Sequence, residues 1–254
     1  MILGGLAGVT LAAWLYLALD PPGMSTGAAS GMSGDSMVNA MTVTHPWAAA
    51  ELGPRMLMWS VMMVAMMVPT AVPMTLVYAA VARKAERDGR PVAPTFAFVA
   101  GYIAIWVLFS VAATAAQGGL DGLSLLSSSM SSASRYLGGG LLIGAGLYEL
   151  TPLKHACLAH CRAPAHFISH RWRVGFSGAF RMGSALGMYC LGCCWILMGL
   201  LFLGGLMNLL WVAAIAAFIL LEKTVPLADR GARVVGVGMI AVGVLTVSGV
   251  VVLA

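Results

Sequence analysis

The sequence predicts an all-α fold, a polytopic transmembrane helical bundle of about seven spans. Hydrophobic residues make up 60% of the 254-residue chain and charged residues 9%, against roughly 25% charged in an ordinary soluble domain. Apolar runs recur along the whole length, several of 18 or more residues, each able to cross a hydrocarbon core about 30 Å thick as a helix. Lysines and arginines alternate between the loops that separate these runs. In lipid the backbone must satisfy its own polar groups, and helices do so.

The spans fall at about 2–19, 57–81, 93–117, 136–153, 182–203, 208–221 and 234–254, in one integral membrane domain without an internal repeat. Loop 82–92 holds Arg83, Lys84, Arg87 and Arg90; loop 154–181 holds Lys154, Arg162, Arg171, Arg173 and Arg181; loop 222–233 holds Lys223, Arg230 and Arg233. Of lysine and arginine, the alternate loops carry only Arg55 in 20–55 and Arg135 in 118–135, and 204–207 has no charge at all. The positive-inside rule then puts the N-terminus in the cytoplasm and the C-terminus outside. The first span reads as an uncleaved helix rather than a signal peptide, because it lacks a basic n-region and a small-residue cleavage site.

The net charge of +5 comes from these loops and forms no basic arm, so the expected partner is the lipid bilayer and not nucleic acid. Partners in a membrane complex, or further copies of the chain, are compatible with it. The outer loop 20–55 is rich in Gly, Ser and Met, with Met24, Met32, Met37 and Met41, and is expected to be flexible. Span four carries Gly138, Gly139, Gly140, Gly144 and Gly146, small residues that let helices approach closely in lipid.

Chemistry concentrates where span four ends, in the run Glu149 to Cys161 with Pro152, Lys154, His155, Cys157 and His160. If a helix restarts at Pro152, a proline-tolerant first turn, Cys157 and Cys161 stand four residues apart on one face, with His160 beside them. Cys190, Cys193 and Cys194 repeat that spacing in span five, so all five cysteines fall in two clusters joined by one hairpin. Soft thiolates select Cu(I), zinc or iron–sulfur clusters over hard cations. Free cysteine also serves as a small buried hydrophobe, and that packing role stands beside the metal reading. A disulfide fits poorly with reduced cytoplasmic thiols.

Span two adds Met62, Met63, Met66 and Met67, with Met58 extending one stripe. Thioethers bind Cu(I) without deprotonation, and they also fill gaps between helices. Pro69 and Pro73 should kink or break this span. Glu149, an intramembrane carboxylate, is a functional candidate by default, with Lys154 able to supply a plain salt bridge. Glu222 and Lys223 read as an interfacial ion pair, His166 and His170 as residues of a basic loop, and His45 as an outer-surface residue. No phosphate-binding loop, nucleophile elbow, zinc-protease helix or dinucleotide fingerprint appears, so no catalytic residue is assigned.

The run Met62-Met63-Val64-Ala65-Met66-Met67-Val68-Pro69, Tyr148 to Lys154 leading to Cys157 and Cys161, Cys190-Leu191-Gly192-Cys193-Cys194-Trp195, Met207-Asn208 and Glu222-Lys223 together resemble the bacterial DUF2182 family over roughly residues 55–253. That family is described as predicted metal-binding integral membrane proteins. The resemblance implies a multi-pass bacterial inner-membrane protein with Cys157, His160, Cys161, Cys190, Cys193 and Cys194 as metal ligands or their neighbours. His155 lies outside the family pattern. The expectation is a metal-binding protein that holds or moves a soft ion, copper foremost with zinc or iron as alternatives. A membrane metal-dependent oxidoreductase, an accessory subunit of one, or a scaffold subunit are the competing readings.

Overall fold

A computed structural model describes residues 2–19, 49–89, 94–122, 135–204, 208–225 and 228–250, and all secondary structure among them is helical. The helices are α1 (Ile2–Ala18), α2 (Ala49–Arg87), α3 (Thr95–Gly122), α4 (Arg135–Glu149), α5 (Pro152–Arg162), α6 (Pro164–Arg171), α7 (Gly175–Gly199), the single turn α8 (Leu201–Gly204), α9 (Leu209–Thr224) and α10 (Ala228–Val247). The methionine-bearing segment 20–48, with His45, lies outside the described residues.

Each expected span overlaps a helix, and three segments are long and apolar enough to cross a membrane: Leu52–Arg87, Thr95–Leu120 and Gly175–Gly204. Leu3–Ala18 and Gly231–Val247 are apolar but shorter. α4 and α9, at 15 and 16 residues, reach only about 22–24 Å at a rise of 1.5 Å per residue.

Several boundaries differ from the sequence expectation. Residues 49–55, expected in the outer loop, belong to α2, where alanine, glutamate and leucine favour a helix. Span four stops at Glu149 rather than 153 because Pro152 has no N–H to give to the preceding turn. Thr151, held extended at φ −76°, ψ 144° by the following proline, instead caps α5 by accepting from the Lys154 N–H. The basic loop 154–181 is largely helical, made of α5, α6 and the first turns of α7. α2 runs unbroken through Pro54, Pro69 and Pro73. Packing against α1 and α3 on either side supports it, as neighbouring helices do for membrane prolines.

Glycines set the closest helix crossings. Gly139 and Gly146 of α4 face Gly243 and Gly236 of the antiparallel α10, and a Cβ on Gly139 would lie 2.8 Å from the Gly243 carbonyl oxygen. Gly140 faces open space, and a Cβ on Gly144 would make only ordinary contact with Ile196. α3 and α7 meet reciprocally: a Cβ on Gly183 would strike the Phe98 carbonyl, and one on Gly101 the Phe180 carbonyl. Gly183→Ala is therefore expected to cost about 1–3 kcal/mol by overpacking, whereas Gly140→Ala should be neutral or slightly stabilising. Thermal unfolding of the two variants in detergent checks the contrast.

Candidate metal site

The two cysteine clusters meet. α5 packs along α7, and the Cys161 thiol sits near enough to those of Cys190 and Cys193 for both to act on its proton. Cys157 lies against Gly192, where a Cβ would come 2.8 Å from its sulfur. The glycine thus admits the thiol onto the α7 backbone. Tyr148 adds a hydroxyl that donates to the Gly192 carbonyl. All five cysteines are free thiols; those of α7 are buried and those of α5 half-buried. Cys193 and Cys194 both donate to the Cys190 carbonyl, at 3.1 and 2.9 Å, the usual refuge of a thiol proton inside a helix.

Cys190 is the hub. Lys223 Nζ donates to its sulfur at 2.7 Å, and the Tyr102 hydroxyl lies 3.0 Å away. Lys223 also donates to Thr70 Oγ1 at 3.1 Å, and Tyr102 donates to the Met67 carbonyl at 3.2 Å. Three helices, α3, α7 and α9, therefore converge on one sulfur, and the methionine-rich α2 joins them through Met67 and Thr70, which hold Tyr102 and Lys223. An ammonium at this place can balance the charge of sulfurs that surrender protons to a metal. The sequence reading missed Tyr102, Thr70 and Lys223 as neighbours of the thiols; a lysine beside Glu222 at the end of the apolar run of α9 was the available signal.

Glu222 and Lys223 do not pair with each other as expected. Glu222 turns to Lys154, whose Nζ lies 2.7 and 2.9 Å from its two carboxylate oxygens. Lys154 also bonds Glu149 Oε2, so the salt bridge foreseen for Glu149 is present. Lys154, Glu149 and Glu222 are 1%, 0% and 3% exposed, and Glu149 Oε1 has no hydrogen-bond partner among the described residues. Arg162 Nε donates to the Glu222 carbonyl at 2.7 Å, tying α5 to the end of α9. Glu149 is thus engaged by Lys154 and not by the thiols.

His160 stacks face to face on Tyr189, centroids 4.3 Å apart, with Nδ1 at 2.9 Å from the Ala156 carbonyl. A carbonyl only accepts, so Nδ1 is the donor in this contact. His166 and His170 are exposed and stack on each other at 4.1 Å. Met62, Met63, Met66 and Met67 are all buried, as is Met58, and line the bundle interior.

Burial, and then the neighbouring Cys193, push the Cys157 thiol up. Hydrogen bonds to Cys190 and Cys193, and then burial, hold the Cys161 thiol well above its ordinary range. Both keep their protons near neutral pH, so a metal that takes them as thiolates must release protons. Among the described residues no group of three or more His, Cys, Asp or Glu side chains is set to enclose a metal ion. The thiol-to-thiol contacts instead suit a soft ion of low coordination number, which needs fewer ligands.

A family model described as PpoB2, copper chaperone, matches residues 56–246. The chain belongs to the PpoB2 family. The match spans α2 to α10 and includes every cysteine, while α1 and the methionine-bearing segment 20–48 precede it. The expected family relationship is met at its coarser level: a copper-related family, over nearly the residues foreseen, under a different name from DUF2182. No curated protein and no solved structure matches the chain.

Proposed function

We propose that this PpoB2-family chain is a membrane-embedded copper handler that receives Cu(I) on two thiols where α5 meets α7, Cys161 and Cys190, with Cys193, Cys157 and Cys194 beside them. The observation that carries the reading is the meeting of the α5 and α7 thiols around a sulfur already facing the Lys223 ammonium. Cu(I) bound by two thiolates leaves one negative charge, and a buried charge needs a partner; Lys223 is that partner. The buried methionines of α2 offer thioethers along the approach, and Met67 abuts the thiol hub through Tyr102. The chain crosses the inner membrane seven times with its basic segments in the cytoplasm, so the thiols face the reducing side. Copper is cargo here, passed from methionine to thiol in order of ligand affinity, and no catalytic step is needed.

The test is a Cu(I) titration of the anaerobically purified full chain against a chromogenic chelator, with Cys157→Ser/Cys161→Ser alongside. Wild type should withdraw near-stoichiometric Cu(I) and the variant should not. Wild type that takes no Cu(I), or a variant that takes as much, would leave the cysteines as packing and overturn the reading.

A further inference from the structure

At the basic end of α7 lies a cavity of about 840 Å³ lined by His170, Arg171, Trp172, Arg173, Arg181 and Met182, far from absorbed by copper chemistry. A second, of about 370 Å³, adjoins it and shares Trp172, Arg173 and Arg181, adding Val174 and Ser177. These volumes match ligand sites, typically about 300–1,000 Å³. Arg171 is engaged with Tyr189, its guanidinium 2.7 Å from the hydroxyl. Arg173 and Arg181 have exposed side chains, and neither takes part in the ion pairs that Lys154 makes with Glu149 and Glu222. Two guanidiniums therefore face both cavities without a carboxylate from the described chain.

The rim is apolar. Exposed Val174 lines the smaller cavity, exposed Phe176 and Phe180 share one face of α7 and flank the lining residues Ser177 and Arg181 in sequence, and Phe96 of α3 packs against Phe176 with centroids 5.9 Å apart. Positive charge in the hollow and bare aromatic surface at its lip call for an amphipathic anion. Guanidinium groups pair with phosphate oxygens through parallel N–H bonds, and basic pockets between membrane helices receive anionic headgroups.

We propose that these cavities form a binding site for an anionic phospholipid, its phosphate held by Arg173 and Arg181 and its acyl chains laid over Val174, Phe176 and Phe180. The site rests on the membrane reading of the helices and is independent of copper. It fixes the α6–α7 corner, and with it the depth of α7, at the lipid headgroup level.

Native mass spectrometry of the full chain released from nanodiscs of phosphatidylcholine, with or without phosphatidylglycerol, tests this. Wild type should retain phosphatidylglycerol in preference to phosphatidylcholine. At about tenfold for each charge-assisted hydrogen bond lost, Arg173→Gln/Arg181→Gln should weaken retention roughly a hundredfold, while Arg173→Lys/Arg181→Lys keeps most of it and Lys84→Gln/Arg87→Gln, away from the cavities, changes it far less. If the double variant does not fold, Arg181→Gln alone should lose about tenfold. Equal retention by wild type and the Gln variants, or equal loss in the Lys84/Arg87 control, would overturn the site. So would displacement of the lipid by glycerol phosphate at equal concentration, which would reduce it to a site for free phosphate. Incorporation into phosphatidylcholine alone reads the membrane assignment separately, so the lipid site can fail while that assignment stands.

Discussion

Lys154→Met is expected to lower the stability of the folded chain by about 3–5 kcal/mol, the range for breaking a buried ion pair from one side. Lys154 stands between Glu149 and Glu222, and none of the three is more than 3% exposed. Its ammonium is the cation that both carboxylates share. Removing it leaves two like charges buried together, the more costly because Glu149 Oε1 already lacks a donor. Glu149→Gln acts in the opposite sense: it removes the excess negative charge, keeps an acceptor for Lys154, and should cost no more than about 1 kcal/mol, the scale of one altered hydrogen bond. Thermal unfolding in detergent orders the two variants. A Lys154→Met protein as stable as wild type would mean that the triad is not held as an ionised group.

Cys190→Ser should weaken Cu(I) binding by more than 100-fold, since it removes the sulfur on which the thiols of both helices converge. Lys223→Met should weaken it by about 10–100-fold, the usual cost of losing a partner that supports a ligand from outside. Stoichiometry separates them: the serine variant loses a ligand, whereas the methionine variant keeps every thiol and binds the same number of ions less tightly. Chelator competition on both proteins measures affinity and stoichiometry together. Equal behaviour of Lys223→Met and wild type would show that the ammonium serves only Thr70.

What the sequence made legible was local. The restart at Pro152 follows from a missing N–H, and it alone sets Cys157 and Cys161 on one face of α5. The small residues of span four marked a close crossing, and Gly139 and Gly146 are pressed against α10 whereas Gly140 and Gly144 are not. Partner choice was not legible. Glu222 and Lys223 are adjacent, which invited a pair, but consecutive helical residues point about 100° apart. One therefore reaches Lys154, 68 residues earlier, and the other reaches Cys190. Tyr102 carried no sign of its role because nothing within α3 distinguishes it from a core aromatic. The methionines of α2 are buried, as both a filler and a ligand would be, so burial alone does not separate those roles.

X-ray absorption at the copper edge of the anaerobically loaded full chain, compared with Cys161→Ser/Cys190→Ser, addresses the central claim most directly. The account predicts a low-coordinate copper surrounded by sulfur alone, and a spectrum that collapses to unbound copper in the variant. A shell of nitrogen and oxygen, or a spectrum indifferent to the loss of those two thiols, would contradict it.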